Sequence, residues 1–456
     1  MTASARPVRR VPMPRIWPVR ASDLAAIAFG NGLLIVGMWV RHGNLIELDS
    51  LGGILTAGGQ LTALLGTYLV LIQLVLMARS PWLDQLFGSA GLVDAHRWLG
   101  YGAVTLLAGH VVLTTVGYAI GDGSTVVGEL ATLITAYPYV LMASVSAGLF
   151  VLVIGTSIRL ARERISHETW YGLHLYAYVA VALGFAHQLV VGIDFQDDPM
   201  ARLYWIALYA VVVAAFLVFR FGQPIALSWR HQLRVAEVVR EAHDVVSVYV
   251  TGRDLDRLAA RSGQWFYWRF LTADDWWRAH PFSLSAAPNG RYLRFTVKQL
   301  GDHTARIQAL RPGIRVAIEG PYGNLTGAVR SRRRVLLIGA GIGVTPLRAL
   351  LEALPYEPGE LTLLYRASGQ HHPVFEEEIE ALARRRGAVV HFLLGPRGRR
   401  PASDPLGPAS IRRLVPDVAE RDVYLCGPVP LMEMVGRSLR SLGVPDARIH
   451  AERFHQ

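Results

Sequence analysis

Cysteine is almost absent from this chain: among 456 residues there is one, Cys426. A single thiol excludes a disulfide within the chain, a four-cysteine zinc site and an iron–sulfur cluster held by the usual four thiolates. Any redox metal must therefore rely on histidine. Charge is scarce as well, with 18% charged against 52% hydrophobic residues and a mean hydropathy of +0.30, values too apolar for a wholly soluble protein. The formal net charge of +11 brings no basic face interleaved with aromatics, because the arginines are spread over the N-terminus, short loops and the second half of the chain. That distribution argues against nucleic acid as a partner and for membrane topology. Internal repeats and low-complexity linkers are missing, and no signal-peptidase pattern follows the first apolar run, which therefore reads as a retained helix.

What the first half does hold is six apolar stretches, near Leu24–Val40, Gln60–Ala78, Trp98–Tyr118, Tyr139–Arg159, Tyr171–Val191 and Leu203–Phe219. Each approaches the ~20 helical residues needed to cross a hydrocarbon core. Arginines mark one side: Arg6, Arg9, Arg10, Arg15 and Arg20 precede the first stretch, Arg79 and Arg97 follow the second, Arg159, Arg162 and Arg164 the fourth, Arg220 and Arg230 the sixth. By the positive-inside rule these ends, with both termini, face the cytoplasm of a cell-membrane protein. The opposite loops carry Glu47, Asp49, Asp122, Glu129, Asp194, Asp197 and Asp198.

From Gln232 the rhythm changes to short alternating segments, Val245–Thr251, Gln264–Phe270, Tyr292–Lys298 and Ile314–Glu319, which predict a small antiparallel barrel. From Arg334 a buried strand, Val335–Ile338, a glycine turn, a helix, Pro346–Leu354, and a strand, Leu361–Tyr365, predict a parallel α/β domain. The expected organisation is a basic N-terminus over 1–21, a six-helix membrane domain over 22–222, a β-barrel domain over 223–330 and a nucleotide-binding α/β domain over 331–456.

Four histidines lie on two of the apolar stretches. His96 and His110 are fourteen positions apart on the third; His174 and His187 are thirteen apart on the fifth. Ionisable groups in a membrane helix are expensive, and at 1.5 Å per residue each pair spans about 20 Å, one level near each face. Two facing pairs suit bis-histidine ligation of two haems, His96 with His174 on the inner side and His110 with His187 on the outer. Gly100, Gly102, Gly109, Gly172 and Gly184 are expected to leave room for the flat macrocycles. One tension stands: at about 100° per residue, fourteen positions return to nearly one face while thirteen leave an offset of about 140°, so the fifth helix must twist, bulge or rotate.

The second half carries His280-Pro281-Phe282-Ser283, then Lys298 and Thr304, then Gly320-Pro321-Tyr322-Gly323. With these motifs in this order behind the histidine spacings, the chain after residue 20 resembles the ferric reductase and NADPH oxidase superfamily: a six-helix ferric reductase transmembrane domain followed by a ferredoxin–NADP reductase module. The resemblance implies that His280, Pro281, Phe282 and Ser283 bind FAD, that Lys298 and Thr304 lie near its pyrophosphate, and that Gly320, Tyr322 and Gly323 form a turn beside it. Gly339-Ala340-Gly341-Ile342-Gly343-Val344-Thr345-Pro346 joins a buried strand to a helix, where Gly339, Gly341 and Gly343 let the backbone approach a pyrophosphate favoured by the helix N-terminus before Thr345 and Pro346. Arg366, with help from Ser368, is placed to contact the 2′-phosphate of NADPH, in preference to NADH. Cys426-Gly427-Pro428 matches the family's nicotinamide-side motif, and Phe454 resembles the aromatic that stacks on the flavin; Cys426 and Phe454 are thus the residues expected at the hydride-transfer position.

These cofactors, FAD, two haem b and NADPH, with no iron–sulfur cluster, imply a transmembrane oxidoreductase passing electrons from cytosolic NADPH to an acceptor on the outer face. A ferric chelate is the expected acceptor, with reduction of oxygen to superoxide as the alternative. Asp194, Asp197 and Asp198 could attract cationic iron. A non-enzymatic haem sensor, or a subunit of a redox complex, is a further alternative that the intact flavin and nucleotide motifs count against. Ala180 stands where relatives often have an aromatic between the haems, which leaves Tyr178 or Phe185 as candidates near the path.

Overall fold

The computed structural model describes residues 20–43, 48–196, 198–367, 373–395 and 404–452. The chain separates into two compact units, one made of Ile16–Ala78 and Val93–Leu217, the other of Arg79–Leu92 and Val218–Gln456. The second unit thus takes a short piece of the first half.

The first unit is helical: α1 (Ala21–Arg41), α2 (Leu51–Met77), α3 (Pro81–Gly121), α4 (Val126–Ala136), α5 (Val140–Ser157), α6 (Arg159–Arg162), α7 (His167–His174), α8 (Tyr176–Val191), α9 (Ile193–Gln196) and α10 (Pro199–Leu217). Among the described residues six helices are long and apolar enough to cross a membrane: Ala21–Arg41, Leu51–Met77, Pro81–Gly121, Val140–Ser157, Glu168–Val191 and Pro199–His231. The chain is a multi-pass membrane protein of the expected six helices. α2 begins well before the expected Gln60 because the Ser50 hydroxyl caps it, accepting from the Gly53 N–H at 3.1 Å. The glycine-rich stretch after Ser50 hides that start from an apolar count. α4 is an additional short helix, capped by Thr125. Ile35, Trp39, Leu64, Leu71, Trp205 and Tyr209 form the packed interior of this unit.

The helix carrying His174 and His187 is divided at Leu175, between α7 and α8, but Leu175 keeps helical dihedrals (φ −64°, ψ −21°) and Glu168–Val191 runs as one span, so the offset of the thirteen-residue spacing is not relieved by a break there.

The second unit starts, on its carboxyl-terminal side, with a π-helical turn, Val218–Gly222, and α11 (Gln223–His231). Six strands follow: β1 (Arg234–Ala242), β2 (Val245–Thr251), β3 (Trp265–Phe270), β4 (His280–Ser283), β5 (Leu293–Lys298) and β6 (Val316–Tyr322), with α12 (Asp302–Gln308) before β6. They are antiparallel as expected but form two three-stranded sheets, β1-β2-β5 and β4-β3-β6, rather than one continuous closed barrel. Single bridges, Arg234 to Arg315 and Leu284 to Phe295, join the sheet edges around a core of Val248, Phe266, Trp268 and Phe295.

The remainder is a parallel five-stranded sheet, ordered β11-β10-β7-β8-β9, of β7 (Val335–Ala340), β8 (Leu361–Ala367), β9 (Val389–Leu394), β10 (Asp422–Cys426) and β11 (Ile449–Glu452). α13 (Val344–Ala353), α14 (Glu376–Arg386), α15 (Pro408–Leu414) and α16 (Val429–Ser441) accompany it. Every residue of β7 is buried, as expected for a strand with apolar clusters on both faces of its sheet.

Candidate cofactor and electron-transfer sites

In the membrane unit the rings of His96 and His174 meet with centroids 6.1 Å apart. Metal–nitrogen bonds of about 2 Å on each side, plus the offset from nitrogen to ring centre, require about 6 Å, so this pair has the separation of two ligands of one metal. His96 Nδ1 is buried without a hydrogen-bond partner, whereas His174 Nδ1 is 3.5 Å from the Ser157 hydroxyl and its ring stacks on Trp170 at 5.1 Å.

At the other level His110 and His187 are near enough to interact electrostatically. His110 Nδ1 lies 3.0 Å from the Gly59 carbonyl, and the Thr114 hydroxyl is 3.2 Å away. Donation from Nδ1 to that carbonyl fixes the tautomer with Nε2 as the bare nitrogen, the arrangement that metal-ligating histidines use. His187 Nδ1 is buried and unpartnered. The His96–His174 pair fits a bis-histidine group by its separation, and a Cβ built at Gly172, an exposed position, meets nothing within 4 Å. Gly102 behaves differently: its Cβ position is 3.1 Å from Leu69, so it serves helix packing. The Phe185 ring meets Tyr209 and the Tyr178 ring Phe216 in tilted contacts, so both aromatics are engaged with α10.

In the second unit, β4 brings the His280–Ser283 motif alongside β3. His280 Nε2 is 3.0 Å from Asp275 Oδ2, Pro281 pairs in register with Tyr267, and the Phe282 carbonyl accepts from Trp268 Nε1 at 3.1 Å. The Phe282 ring lies parallel to Phe295 at 5.3 Å. Ser283 Oγ is buried with no partner, an open hydrogen-bonding position of the kind a flavin would fill. Gly320, within β6, has φ +136° and Gly323, directly after it, φ +88°, while the Tyr322 hydroxyl is bound to Glu319 and to the Arg79 carbonyl. Lys298 pairs with Asp244 at 3.4 Å. The Thr304 hydroxyl accepts from the Leu300 and Gly301 N–H groups at the start of α12, so it orders that loop.

At the C-terminal edge of the parallel sheet, β7 and β10 bring the two glycine motifs together. A Cβ on Gly343 would stand 2.6 Å from the Cys426 carbonyl and 2.8 Å from the Gly427 Cα, so only glycine allows that approach. Gly341, at φ +56°, faces open space, while Gly339 packs on Leu347. Thr345 donates to the Ile342 carbonyl at 3.0 Å and Pro346 is buried in the first turn of α13. Pro428 precedes α16, and Cys426 is fully buried, which pushes its thiol well above the usual value and keeps it uncharged. Arg366 is buried, and its Nη1 donates to the carbonyls of Ala367 and Leu393. Ser368 and Phe454 lie outside the described residues.

Sequence reasoning missed Glu452. It stands on β11 within a Cβ's reach of Gly323, hydrogen-bonds the Trp265 side chain and leaves Oε2 buried without a partner. Burial first, and then the charge of Asp84, push its carboxyl up to about 8. Such a perturbed acid beside a candidate cofactor turn is a functional signal that tertiary packing creates. Its position in the final strand gave no such signal.

Residues 62–185 match the family described as ferric reductase like transmembrane component, 230–326 the FAD-binding domain, and 337–437 the oxidoreductase NAD-binding domain. The chain is 30% identical over 233 residues to a Rhodococcus rhodochrous "3-ketosteroid-9-alpha-monooxygenase, ferredoxin reductase component", covering 49% of this chain and 64% of that protein. It is 32% identical over 190 residues to a Vibrio cholerae flavohemoprotein, covering 40% of this chain and 47% of the other. The chain thus spans less than two thirds of the length of these relatives. Among solved structures, the flavohem-like FAD/NAD binding domain of a nitric oxide dioxygenase from Vibrio cholerae O1 aligns over 49% of this chain and 99% of its own length, at 25% identity and a TM-score of 0.41.

Proposed function

From a chain with the ferric reductase and NADPH oxidase architecture, a membrane NAD(P)H-dependent oxidoreductase with FAD- and NAD-binding domains, we propose transmembrane electron transfer from cytosolic NADPH through FAD and two bis-histidine haem b groups to a ferric chelate on the outer face. The observation that carries the proposal is the metal-ligand separation of His96 and His174 in a chain that also has a flavin and nucleotide module. When bound, FAD converts a two-electron hydride into single electrons and haem iron relays them one at a time. Each NADPH therefore yields NADP⁺, one proton on the inner side and two electrons, enough for two ferric ions.

The chain's own residues bind, orient and exclude water. Gly341 and Gly343 admit the nucleotide pyrophosphate, Arg366 favours the 2′-phosphate, and uncharged Cys426 packs beside the nicotinamide. Ser283 Oγ, buried and without a partner, would hydrogen-bond the flavin. Glu452, protonated at neutral pH, holds a proton at Oε2 beside the Gly323 turn. His96 with His174 and His110 with His187 would hold the two haems, and a haem held by two histidines would supply outer-sphere electron transfer to the acceptor. The arginine distribution supports cytoplasmic termini.

A second reading, oxygen reduced to superoxide, is favoured by one finding. Asp198 forms an ion pair with Arg41 and accepts from the N–H groups of Met200 and Ala201, so it is a helix cap rather than a loose carboxylate for iron. The side chain of Asp194, and Asp197 altogether, lie outside the described residues. Purified protein reconstituted in vesicles and given NADPH on the module side tests both: ferric chelate reduction on the other face, insensitive to superoxide dismutase, supports the first reading. Superoxide formation without chelate reduction supports the second.

A further inference from the structure

Inside the reductase unit, two buried arginines from different parts of the chain converge on one backbone carbonyl. Arg294 comes from β5, beside the candidate flavin motif, and Arg348 from α13, the helix that opens directly after Gly343. Arg294 Nη2 donates to the Ser285 carbonyl at 2.7 Å, and Arg348 Nη1 donates to the same oxygen at 3.2 Å. Each arginine is only 4% exposed. Glu378, on α14, bridges them: its carboxylate accepts from Arg294 Nη1 at 3.1 Å and from Arg348 Nη2 at 2.5 Å. Glu352 supplies a second negative charge, pairing with Arg348 Nη1 and accepting the Ala287 N–H at 2.8 Å.

Two cations and two carboxylates balance, so the cluster can stay charged while buried; taking away one member leaves another charge uncompensated. Its roots run into the antiparallel sheets. The Ser285 N–H donates to the Arg294 carbonyl at 2.7 Å, and the Ser285 hydroxyl accepts from Arg294 Nε at 3.1 Å and from the Thr296 hydroxyl at 2.8 Å. On the other flank the Phe375 ring, one residue before α14, has its centre 4.8 Å from the Arg294 guanidinium. Ser285 stands two residues past Ser283, whose buried hydroxyl is open to a flavin, and Arg348 five residues past Gly343. The cluster therefore ties the flavin motif to the nucleotide motif by short chain routes on both sides. Charge-assisted bonds are directional and fix orientation. Transfer between two bound groups is sensitive to orientation, a misplacement of about 1 Å costing about 10²-fold.

We propose that Arg294, Arg348, Glu352 and Glu378 form a clamp that holds α13 and its glycine turn in register with the flavin motif for hydride transfer, with Arg348 and Glu378 as positioning residues. The clamp rests on the NADPH-to-FAD step of the function proposed above. In that step hydride leaves the nicotinamide and joins the flavin, so NADPH is oxidised, the flavin gains two electrons and no further reductant enters. None of the four residues is assigned to the nucleotide pyrophosphate or 2′-phosphate. Loosening the clamp therefore slows the transfer and leaves nucleotide affinity as it was.

The test uses full-length protein with Glu378→Gln, Arg348→Lys and the conservative Glu378→Asp. Rapid anaerobic mixing over a range of NADPH concentrations separates the limiting rate of flavin bleaching from the half-saturating concentration. Hydrogen–deuterium exchange over residues 283–287 and 344–353 reports the clamp without any turnover. For Glu378→Gln the limiting rate falls at least ten-fold, half-saturation stays within two-fold of the parent, and the 283–287 amides exchange at least ten-fold faster. Glu378→Asp recovers part of the rate. An unchanged limiting rate, or equal losses of rate and affinity, overturns the clamp. If Glu378→Gln fails to fold, Arg348→Lys decides by the same split between rate and half-saturation. A parent protein that holds flavin but is not bleached by NADPH instead overturns the underlying reading, before any variant is compared.

Discussion

His96 and His174 face each other with ring centres 6.1 Å apart, at the junction of α7 and α8, where Leu175 keeps helical dihedrals. If each pair holds one iron, His174→Leu and His110→Leu each lower haem content to about half, and the double variant abolishes it. Haem extraction against protein mass checks this; full haem content in either single variant contradicts the pairing.

Gly343 is the position where packing leaves no room for a side chain, its Cβ site being 2.6 Å from the Cys426 carbonyl. Gly343→Ala must push backbone apart, at an overpacking cost of about 1–3 kcal/mol. Thermal unfolding of the reductase unit is expected to fall by several degrees, with a raised KM for NADPH, while Gly341→Ala, strained at φ +56° but facing open space, disturbs the motif through backbone conformation alone.

Glu452 carries a pH signature. Its carboxyl sits at about 8 in the folded protein against an ordinary 4.5. The native state therefore binds the extra proton between those values, and stability is greatest below about 4.5 and is lost as pH rises toward about 8. Glu452→Gln, which keeps the neutral shape, is expected to flatten that slope. Unfolding midpoints followed through flavin fluorescence from pH 5 to 9 check it; parallel slopes for parent and variant contradict the assignment.

Arg366 offers a selectivity test. Its Nη1 is committed to the carbonyls of Ala367 and Leu393, so Arg366→Ala costs some strand-end order whatever the nucleotide. Loss of a charge-assisted contact to the 2′-phosphate, worth about 1.5 kcal/mol, adds a roughly ten-fold fall in the ratio of kcat/KM for NADPH over NADH. Equal losses for both nucleotides identify Arg366 as a structural clamp only.

The parts legible in the sequence were those written in local pattern. Six apolar runs announced six helices, and the all-buried β7 followed by glycines announced a nucleotide motif. What stayed hidden depends on distant partners. Arg79 marked only the inner side in the sequence and Asp84 gave no signal, until Glu319, Tyr322 and Gly323 meet them. Glu452 acquires its perturbation only by burial against Trp265 and Gly323. Thr304 was assigned by motif position, whereas its hydroxyl is spent on the start of α12.

Anaerobic titration of the purified full-length protein with NADPH tests the central claim most directly. The account predicts that flavin absorbance bleaches first and that both haems then pass to the ferrous spectrum, reaching two reduced haems per chain at sub-millimolar nucleotide. Flavin that bleaches fully while the haem spectrum remains ferric would contradict it.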